Sequence, residues 1–186
     1  VVTVNPINDA PIMDAMVAQA TDEEASLPIT VTSSDLDTGT GDGDENTPTY
    51  SAVSSSPDDV TVSVNDDQLT MEPALDFHGD VMVTVTVTDD GGLSDATDFI
   101  LTVVPVNDAP VIEDISAQVM NEDTTLTIIL SASDVDGGSG EEDENDLAFN
   151  VVSDNDAISV SVDSTLLTIT PDTNYYGNAT ITVTVT

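Results

Sequence analysis

The sequence predicts an all-β protein made of two tandem β-sandwiches. Apolar and hydroxyl side chains alternate along residues 60–64 and along most of residues 81–88, the pattern of strands with one buried face. Turn residues separate such segments at a spacing of roughly 8–12 residues, which is typical of sandwiches. No stretch has a convincing helical period. We therefore expect about seven strands per unit in an immunoglobulin-like Greek key.

The chain contains two copies of one unit. The tetrapeptide Asn-Asp-Ala-Pro at residues 8–11 returns at residues 107–110, and the Asp-x-Asp motif at residues 35–37 returns at residues 134–136, in both cases 99 positions later. Self-similarity at a fixed offset is the signature of a tandem repeat. The sequence therefore predicts a repeat of just under a hundred residues.

The alignment of the two copies sets the expected domain bounds. Residues 1–6 align with residues 100–105, so they are expected to be the last strand of a preceding repeat. The first repeat is expected at residues 7–106. The second, residues 107–186, is expected to lack the counterpart of its final strand.

Two interpretations of this missing strand stay open. In one, the sequence is a piece of a longer fibre that continues through the gap. In the other, the segment Val1–Val4 of one copy completes the open sheet edge of the next copy, as in β-strand addition. Both interpretations predict an extended strand at Val1–Val4 that is not paired within its own molecule.

The charge balance limits the partners and the chemistry. The chain has 37 acidic residues, no Lys or Arg, and a formal net charge of −37. Nucleic acid is excluded as an electrostatic partner because its recognition needs cationic side chains. No apolar run approaches the roughly 20 residues that span a bilayer, so no membrane insertion is expected. Every carboxylate must face water, accept a hydrogen bond or bind a metal.

Composition also bears on alternatives to metal binding. No cysteine is present, so disulfides and thiolate metal sites are excluded. Acidic chains with few aromatic residues are often disordered, but the clean strand periodicity argues against disorder. A surface adapted to salt remains open and is compatible with metal binding. Catalysis is not expected, because there is no Lys, Arg or Cys and the single histidine, His78, lies in no motif.

Oxygen-bearing side chains recur at strand ends in both copies. They comprise the Asn-Asp connector, an acidic pair after the first strand, the Asp-x-Asp motif and a residue before an aromatic-x-Gly sequence. Ca²⁺ takes six to eight oxygen ligands, several of them carboxylates. The recurrence therefore predicts Ca²⁺ at the junctions between repeats. The recurring residues are Asn8, Asp9, Glu23, Glu24, Asp35, Asp37, Asp76, Asn107, Asp108, Glu122, Asp123, Asp134, Asp136 and Asn174.

The sequence resembles a known family over its whole length. The motifs at residues 75–79, 88–93 and 106–110 are similar to those of bacterial cadherin-like tandem repeats in large calcium-dependent surface adhesins. The resemblance implies a junction site that uses Glu23 or Glu24, Asp76, Asn107, Asp108, Asp134 and Asp136. It also implies an N-terminal half-site of Asn8, Asp9, Asp35, Asp37 and Asp89.

The motifs depart from the cadherin pattern in three places. The connector lacks the leading Asp, it ends in Ala-Pro, and Asp76 is followed by Phe-His rather than Arg-Glu. We therefore expect fewer ions per junction than in animal cadherins. Asn174 replaces Asp76 in the second copy, so its downstream site is expected to carry less charge.

The expected function is structural. The resemblance implies a calcium-rigidified repeat in the stalk of a bacterial cell-surface adhesin, or in an extracellular filament. Its partners would be neighbouring repeats of the same protein, head to tail, outside the cell or at its surface. The alternative is a cadherin-like adhesion module that binds carbohydrate or a partner protein. Sugar stacking usually needs exposed aromatic residues, and this chain has no Trp and only six aromatic residues.

Overall fold

The computed structural model describes residues 1–4, 7–36, 47–135 and 147–186, and every regular element in these ranges is a β-strand. The chain divides into unit 1, Val1–Val106, and unit 2, Asn107–Thr186. The prediction of an all-β fold is confirmed. None of the described segments forms a helix long and apolar enough to cross a membrane.

Unit 1 contains two sheets and a short strand pair. Its four-stranded sheet has the order β2-β9-β8-β5, its three-stranded sheet has the order β3-β7-β6, and β1 pairs with β4. All pairs are antiparallel except β2 with β9. The strands are β1 (Ile12–Met13), β2 (Gln19–Asp22), β3 (Leu27–Thr30), β4 (Ser33–Ser34), β5 (Thr49–Ser54), β6 (Val60–Asn65), β7 (Gln68–Pro73), β8 (Gly79–Thr88) and β9 (Ser94–Val104).

The core of unit 1 lies between these two sheets. Along β8 every second side chain, from Val81 to Val87, is buried, while the intervening Met and Thr side chains are more exposed. This is the alternation expected of a strand with one apolar face. Leu69 and Met71 on β7 and Leu101 on β9 close the core from the two sheets. Unit 1 is therefore a β-sandwich, as the sequence predicts.

Unit 2 repeats much of this arrangement. The sheet β11-β15-β14 corresponds to β3-β7-β6, the pair β13-β16 corresponds to β5-β8, and β10-β12 corresponds to β1-β4. Leu130, Leu167 and Ile169 form its buried core. The strands are β10 (Val111–Ile112), β11 (Leu126–Ile129), β12 (Ala132–Ser133), β13 (Phe149–Ser153), β14 (Ile158–Asp163), β15 (Leu166–Pro171) and β16 (Ile181–Val185).

Two strands of unit 1 have no counterpart in the described part of unit 2. Residues 118–121 align with β2 but are not in a strand. No strand corresponds to β9, so β16 has β13 as its one neighbouring strand there. Residues 1–4 are exposed, have no regular secondary structure and are paired with no described strand. Their assignment to a preceding repeat stays a prediction.

Candidate metal centres

The predicted ligands of unit 1 form two groups at opposite ends of its larger sheet. The register between β8 and β9 pairs Gly79 with Val103 at one end and Thr88 with Ser94 at the other. Asp76 precedes Gly79, and β2 ends beside Val104, so Asp76 and the acidic pair after β2 belong to the first end. Asp89 follows Thr88 and belongs to the second end. The strand pairing therefore places carboxylates at both ends of one unit.

Glu23 holds the backbone that leads into the connector. Its Oε1 accepts a hydrogen bond from the N–H of Val106 at 2.7 Å, and its own N–H donates to the carbonyl of Val104 at 2.9 Å. The Glu23 residue is 5% exposed. A buried carboxylate normally needs a charged partner or several hydrogen bonds, and this chain contains no Lys or Arg. The site is therefore suited to a cation taken from solution.

Glu24 and Asp76 bring two further carboxylates to the same end. One oxygen of each lies within 4.8 Å of an oxygen of the other. Both side chains are exposed, and two unit charges at such a distance repel by about 1 kcal/mol in water. A divalent cation between them would turn this repulsion into attraction.

The backbone at both residues is left-handed, with φ values of 60° at Glu24 and 57° at Asp76. That conformation costs a residue other than glycine roughly 1–2 kcal/mol. The turn that contains Asp76 is closed by a hydrogen bond from the Phe77 N–H to the Ala74 carbonyl at 3.3 Å. The surrounding fold therefore holds both side chains in place at some cost.

The second group is centred on Asp89, which is 7% exposed. Its Oδ2 accepts a hydrogen bond from Asn8 Nδ2 at 3.0 Å, and its Oδ1 accepts one from the Leu93 N–H at 2.8 Å. Burial alone raises the pKa of Asp89. The hydrogen bonds from Asn8, Leu93, Gly92 and Gly91 outweigh that effect and bring the pKa below its ordinary value. Asp89 is therefore held as a carboxylate.

Asn8 offers a second acceptor at this end. Its Oδ1 is buried and has no hydrogen-bond partner among the described residues. The reversed amide orientation would turn that oxygen toward the Asp89 carboxylate, so the hydrogen bond fixes which atom is the oxygen. Buried oxygens are rarely left unpaired, and an amide oxygen is a common Ca²⁺ ligand. The donor set therefore fits a hard cation.

A glycine permits the close approach of Asn8. A Cβ placed on Gly91 would lie 2.6 Å from Asn8 Nδ2 and 2.9 Å from its Cγ, so no larger residue fits without displacing the amide. Of the other predicted ligands here, Asp9 is exposed and Asp35 is half-buried. Asp37, like Asp136 in the second copy, lies outside the described residues.

Unit 2 repeats the backbone geometry of the first group with less charge. Asp123 and Asn174, the counterparts of Glu24 and Asp76, each have a left-handed φ of 58°, and the Asn174 N–H donates to Asp123 Oδ1 at 2.9 Å. Glu122 is exposed and Asp134 is half-buried. In the connector, Asn107 Nδ2 donates to the Asp108 carbonyl at 2.9 Å.

One structural carboxylate was not anticipated from the sequence. Asp95 Oδ2 accepts a hydrogen bond from the Met13 N–H at 2.9 Å and so ties β1 to β9. Asp95 belongs to no motif, so no sequence signal separates it from the other acidic residues. Its hydrogen bond is part of the scaffold beside the Asp89 group.

Comparison with known proteins agrees with this architecture. Residues 7–104 match a family model described as a cadherin-like domain, and residues 107–186 match one described as a bacterial Ig domain. None of the curated proteins matches the chain.

Similar solved structures include cadherin fragments. Human CDH23 EC21-23 is 16% identical with a TM-score of 0.54, over 90% of this chain and 56% of that one. PcdhgB3 EC1-4 is 16% identical with a TM-score of 0.55, over 95% of this chain and 45% of that one. This chain thus spans about half the length of either, and at such identities the likeness concerns the fold alone.

Proposed function

The chain belongs to the cadherin-like domain family, and from that premise we propose that it is a pair of structural repeats stiffened by Ca²⁺ at the junctions between repeats. The parent protein would be a bacterial cell-surface adhesin with a stalk, or an extracellular filament. Cadherin-like and bacterial Ig domains are non-enzymatic folds, and we propose no catalytic role. Because a fold alone does not establish a function, the proposal is argued from the two groups of ligands.

The observation that carries the proposal is the hydrogen bond from the Val106 N–H to the buried Glu23 carboxylate. It fixes the chain at the last residue before the connector. Asp108 follows two residues later, and two residues span at most about 7 Å, so its carboxylate can reach the pair formed by Glu24 and Asp76. The proposed junction ligands are Glu23, Glu24, Asp76, Asn107, Asp108, Asp134 and Asp136.

The N-terminal group supports the same proposal from the other end of unit 1. One cation would bind both the buried Asp89 carboxylate and the Asn8 oxygen, which has no hydrogen-bond partner in the described part of the chain. A surface that is acidic merely for solubility or salt tolerance does not require a buried amide oxygen without a donor. The proposed ligands of this half-site are Asn8, Asp9, Asp35, Asp37 and Asp89.

The repeat organisation follows from placing a site at each end of a unit. We propose residues 1–6 as the last strand of a preceding repeat, residues 7–106 as the first cadherin-like repeat and residues 107–186 as a second repeat without its final strand. Neighbouring repeats would bind head to tail, with strand donation between copies as a further contact. Cadherin-like domains are usually extracellular, and we propose the cell surface or an extracellular fibre as the location.

Small-angle X-ray scattering with a Ca²⁺ titration tests the proposal. Saturating Ca²⁺ should give a narrow distribution of distances between the units, and a chelator should broaden it while circular dichroism shows that strand content persists. Elemental analysis of the dialysed protein gives the bound Ca²⁺ count. Unchanged scattering on chelation, together with no bound Ca²⁺, would contradict the proposal.

A second candidate function has one observation in its favour. Tyr176 is 88% exposed and, with Tyr175 and Glu122, borders a groove of about 580 Å³ in unit 2. An exposed ring beside a carboxylate can stack on and hydrogen-bond to a sugar. Glycan-array binding that is lost in Tyr176→Ala, but retained after chelation, would favour carbohydrate recognition over a purely structural role.

A further inference from the structure

The turn between β8 and β9 in unit 1 contains an aspartate followed by a glycine. Asp90 and Gly91 are the two central residues of a β-turn, which the Gly92 N–H closes by donating to the Asp89 carbonyl at 3.2 Å. Both central residues are exposed. Because glycine has no side chain to obstruct its nitrogen, an aspartate carboxyl group cyclises onto a following glycine more readily than onto any other residue. This turn therefore carries a reactive peptide bond.

Two contacts keep the reacting groups apart in the folded chain. Thr47 Oγ1 donates a hydrogen bond to the Asp90 carboxylate and lies 2.9 Å from each of its oxygens. The Gly91 N–H donates to the neighbouring Asp89 carboxylate. The carboxyl group and the nitrogen that would attack it thus both have other partners. The turn must open locally before the two groups can meet, so the fold controls the rate of cyclisation.

The same turn has no room for a longer backbone. A Cβ placed on Gly91 would lie 2.6 Å from Asn8 Nδ2, and this Nδ2 is the group that donates to Asp89 Oδ2 at 3.0 Å. The Leu93 N–H donates to the other oxygen of Asp89 at 2.8 Å. An extra methylene group in the main chain before Gly91 would push Gly91 against the Asn8 amide and change the spacing of the N–H groups around Asp89.

We propose that Asp90 is a site of spontaneous isomerisation to isoaspartate, and that the product no longer holds Asn8 against Asp89. The Gly91 nitrogen attacks Asp90 Cγ, and the side-chain hydroxyl leaves as water with the proton of that nitrogen. Water then opens the cyclic imide. Cleavage between the nitrogen and Cγ restores Asp90, whereas cleavage between the nitrogen and the main-chain carbonyl carbon leaves the chain running through Cβ and Cγ. The sum is an isomerisation that needs no oxidant or reductant.

The metal dependence of this reaction rests on the proposed function. A cation bound by Asp89 and Asn8 would hold the turn closed, so Asp90 would isomerise chiefly in repeats that have lost their cation. The product would bind Ca²⁺ more weakly, and the defect would persist after Ca²⁺ returns. Isoaspartate at residue 90 would thus record the time that the N-terminal half-site has spent empty.

Ageing of the full 186-residue chain tests the proposal. The protein is incubated at neutral pH with Ca²⁺ or with chelator, and peptide mapping by electron-transfer dissociation mass spectrometry identifies isoaspartate at residue 90. The map separates this position from the other Asp-Gly sequences, at residues 42–43 and 136–137. Isoaspartate should accumulate at residue 90 in chelator, and Ca²⁺ at about ten times its dissociation constant should slow the accumulation by about tenfold.

Two variants separate the chemistry from the fold. Thr47→Val frees the Asp90 carboxylate and should raise the rate in chelator by about two- to fivefold. Asp90→Glu keeps the charge, but its longer side chain would have to close a larger ring, so it is the matched control and should not isomerise. After ageing, NMR of the wild type should show the Asn8 side-chain amide released from Asp89 and calorimetry should show weaker Ca²⁺ binding, while Asp90→Glu changes in neither respect.

The possible failures are distinguishable. If Thr47→Val forms no isoaspartate at residue 90 while a synthetic peptide of residues 86–94 does, the modification site is wrong. If the isomerised protein keeps the Asn8 amide resonance of the fresh protein, the structural consequence is wrong. If Ca²⁺ leaves the rate unchanged while Thr47→Val still raises it, the modification site stands and the proposed cation site at Asp89 fails.

Discussion

The two units share one repeat pattern but bury it to different extents. In unit 1 the inward side chains of β8, from Val81 to Val87, are at most 2% exposed. In unit 2 the aligned residues Ala179, Ile181, Val183 and Val185 are only half-buried. The alternation within the strand is the same in both, so the difference comes from the neighbouring strand β9. Burial in a sandwich is therefore a property of the sheet pair and not of one strand's sequence.

The comparison of the two units also explains why β2 forms in unit 1 and has no counterpart in the described part of unit 2. Residues 19–22 (Gln-Ala-Thr-Asp) form a strand because the edge of β9 provides a parallel partner. The aligned residues 118–121 (Gln-Val-Met-Asn) have no such partner among the described residues and are not in a strand. The more apolar of the two segments is thus the one outside a strand. Tertiary context decides the outcome here, as is common for β-structure.

The largest expected effect comes from truncating matched core leucines. Leu69→Ala in unit 1 should lower the free energy of unfolding by about 2–5 kcal/mol, because it leaves a closed cavity. Leu167→Ala in unit 2 should fall at the lower end of that range, because Leu167, although only 1% exposed, borders a groove of about 490 Å³ into which the truncated site can relax. Urea unfolding followed by NMR, with resonances assigned to each unit, measures both. Equal losses would mean that the two cores are equally closed in solution.

Two substitutions at Glu23 should distinguish its role as a hydrogen-bond acceptor in the fold from its role as a Ca²⁺ ligand. In the presence of chelator, Glu23→Ala should destabilise unit 1 by about 1–3 kcal/mol because the Val106 N–H loses its acceptor. Glu23→Gln retains an acceptor oxygen and should be close to wild type in chelator, yet bind Ca²⁺ more weakly.

The matched control for Glu23 is Glu122→Ala. Glu122 is exposed, so this change should alter the stability of unit 2 by no more than about 0.5 kcal/mol. Isothermal calorimetry and urea unfolding provide the two readouts. A Glu23→Gln variant with unchanged Ca²⁺ affinity would remove Glu23 from the ligand set.

A reciprocal exchange tests the difference in charge between the units. Asp76→Asn in unit 1 should weaken Ca²⁺ binding by about tenfold, or roughly 1.4 kcal/mol, and Asn174→Asp in unit 2 should strengthen binding there. Both residues have left-handed backbones, which Asn and Asp tolerate better than most residues, so neither change should disturb the fold. Calorimetry on the single and double variants measures the effect. No change in either variant would exclude these positions as ligands.

The smallest expected effect is the acid sensitivity of Asp89. Its pKa is lowered in the folded state, so its contribution to stability is fully present above the unfolded-state pKa of about 3.9 and is lost as the pH falls through the lower folded value. In chelator, the stability difference between wild type and Asp89→Asn should shrink over that pH range. A difference that is constant with pH would show that the carboxylate's charge contributes nothing.

The sequence predicted the long strands better than the short ones. Alternation is a local property, so β6 and β8 could be predicted from their own residues. The two-residue strands β1 and β4 have no room for a period, and β2 depends on a strand far along the chain.

The candidate sites also contain residues that a sequence pattern can reveal and residues that only contacts between distant strands reveal. Recurrence drew attention to Asn8 and the family resemblance drew attention to Asp89, and the structure brings these two residues within hydrogen-bond distance. Asp95 had no comparable signal, because its role arises from the approach of β1 to β9. The assignment of these residues as metal ligands stays a prediction that the experiments above address.

The parallel pairing of β2 with β9 has a mechanical consequence for unit 1. Four residue pairs, from Gln19 with Leu101 to Asp22 with Val104, join an early strand to the last one. Tension applied along the polypeptide would pull these neighbours in opposite directions along their length, so their hydrogen bonds would be sheared together rather than peeled apart one by one. The Glu23 carboxylate, through its bond to the Val106 N–H, lies where that force would enter from the C-terminal side. A repeat built this way would resist extension better than one whose terminal strands are peeled apart pair by pair.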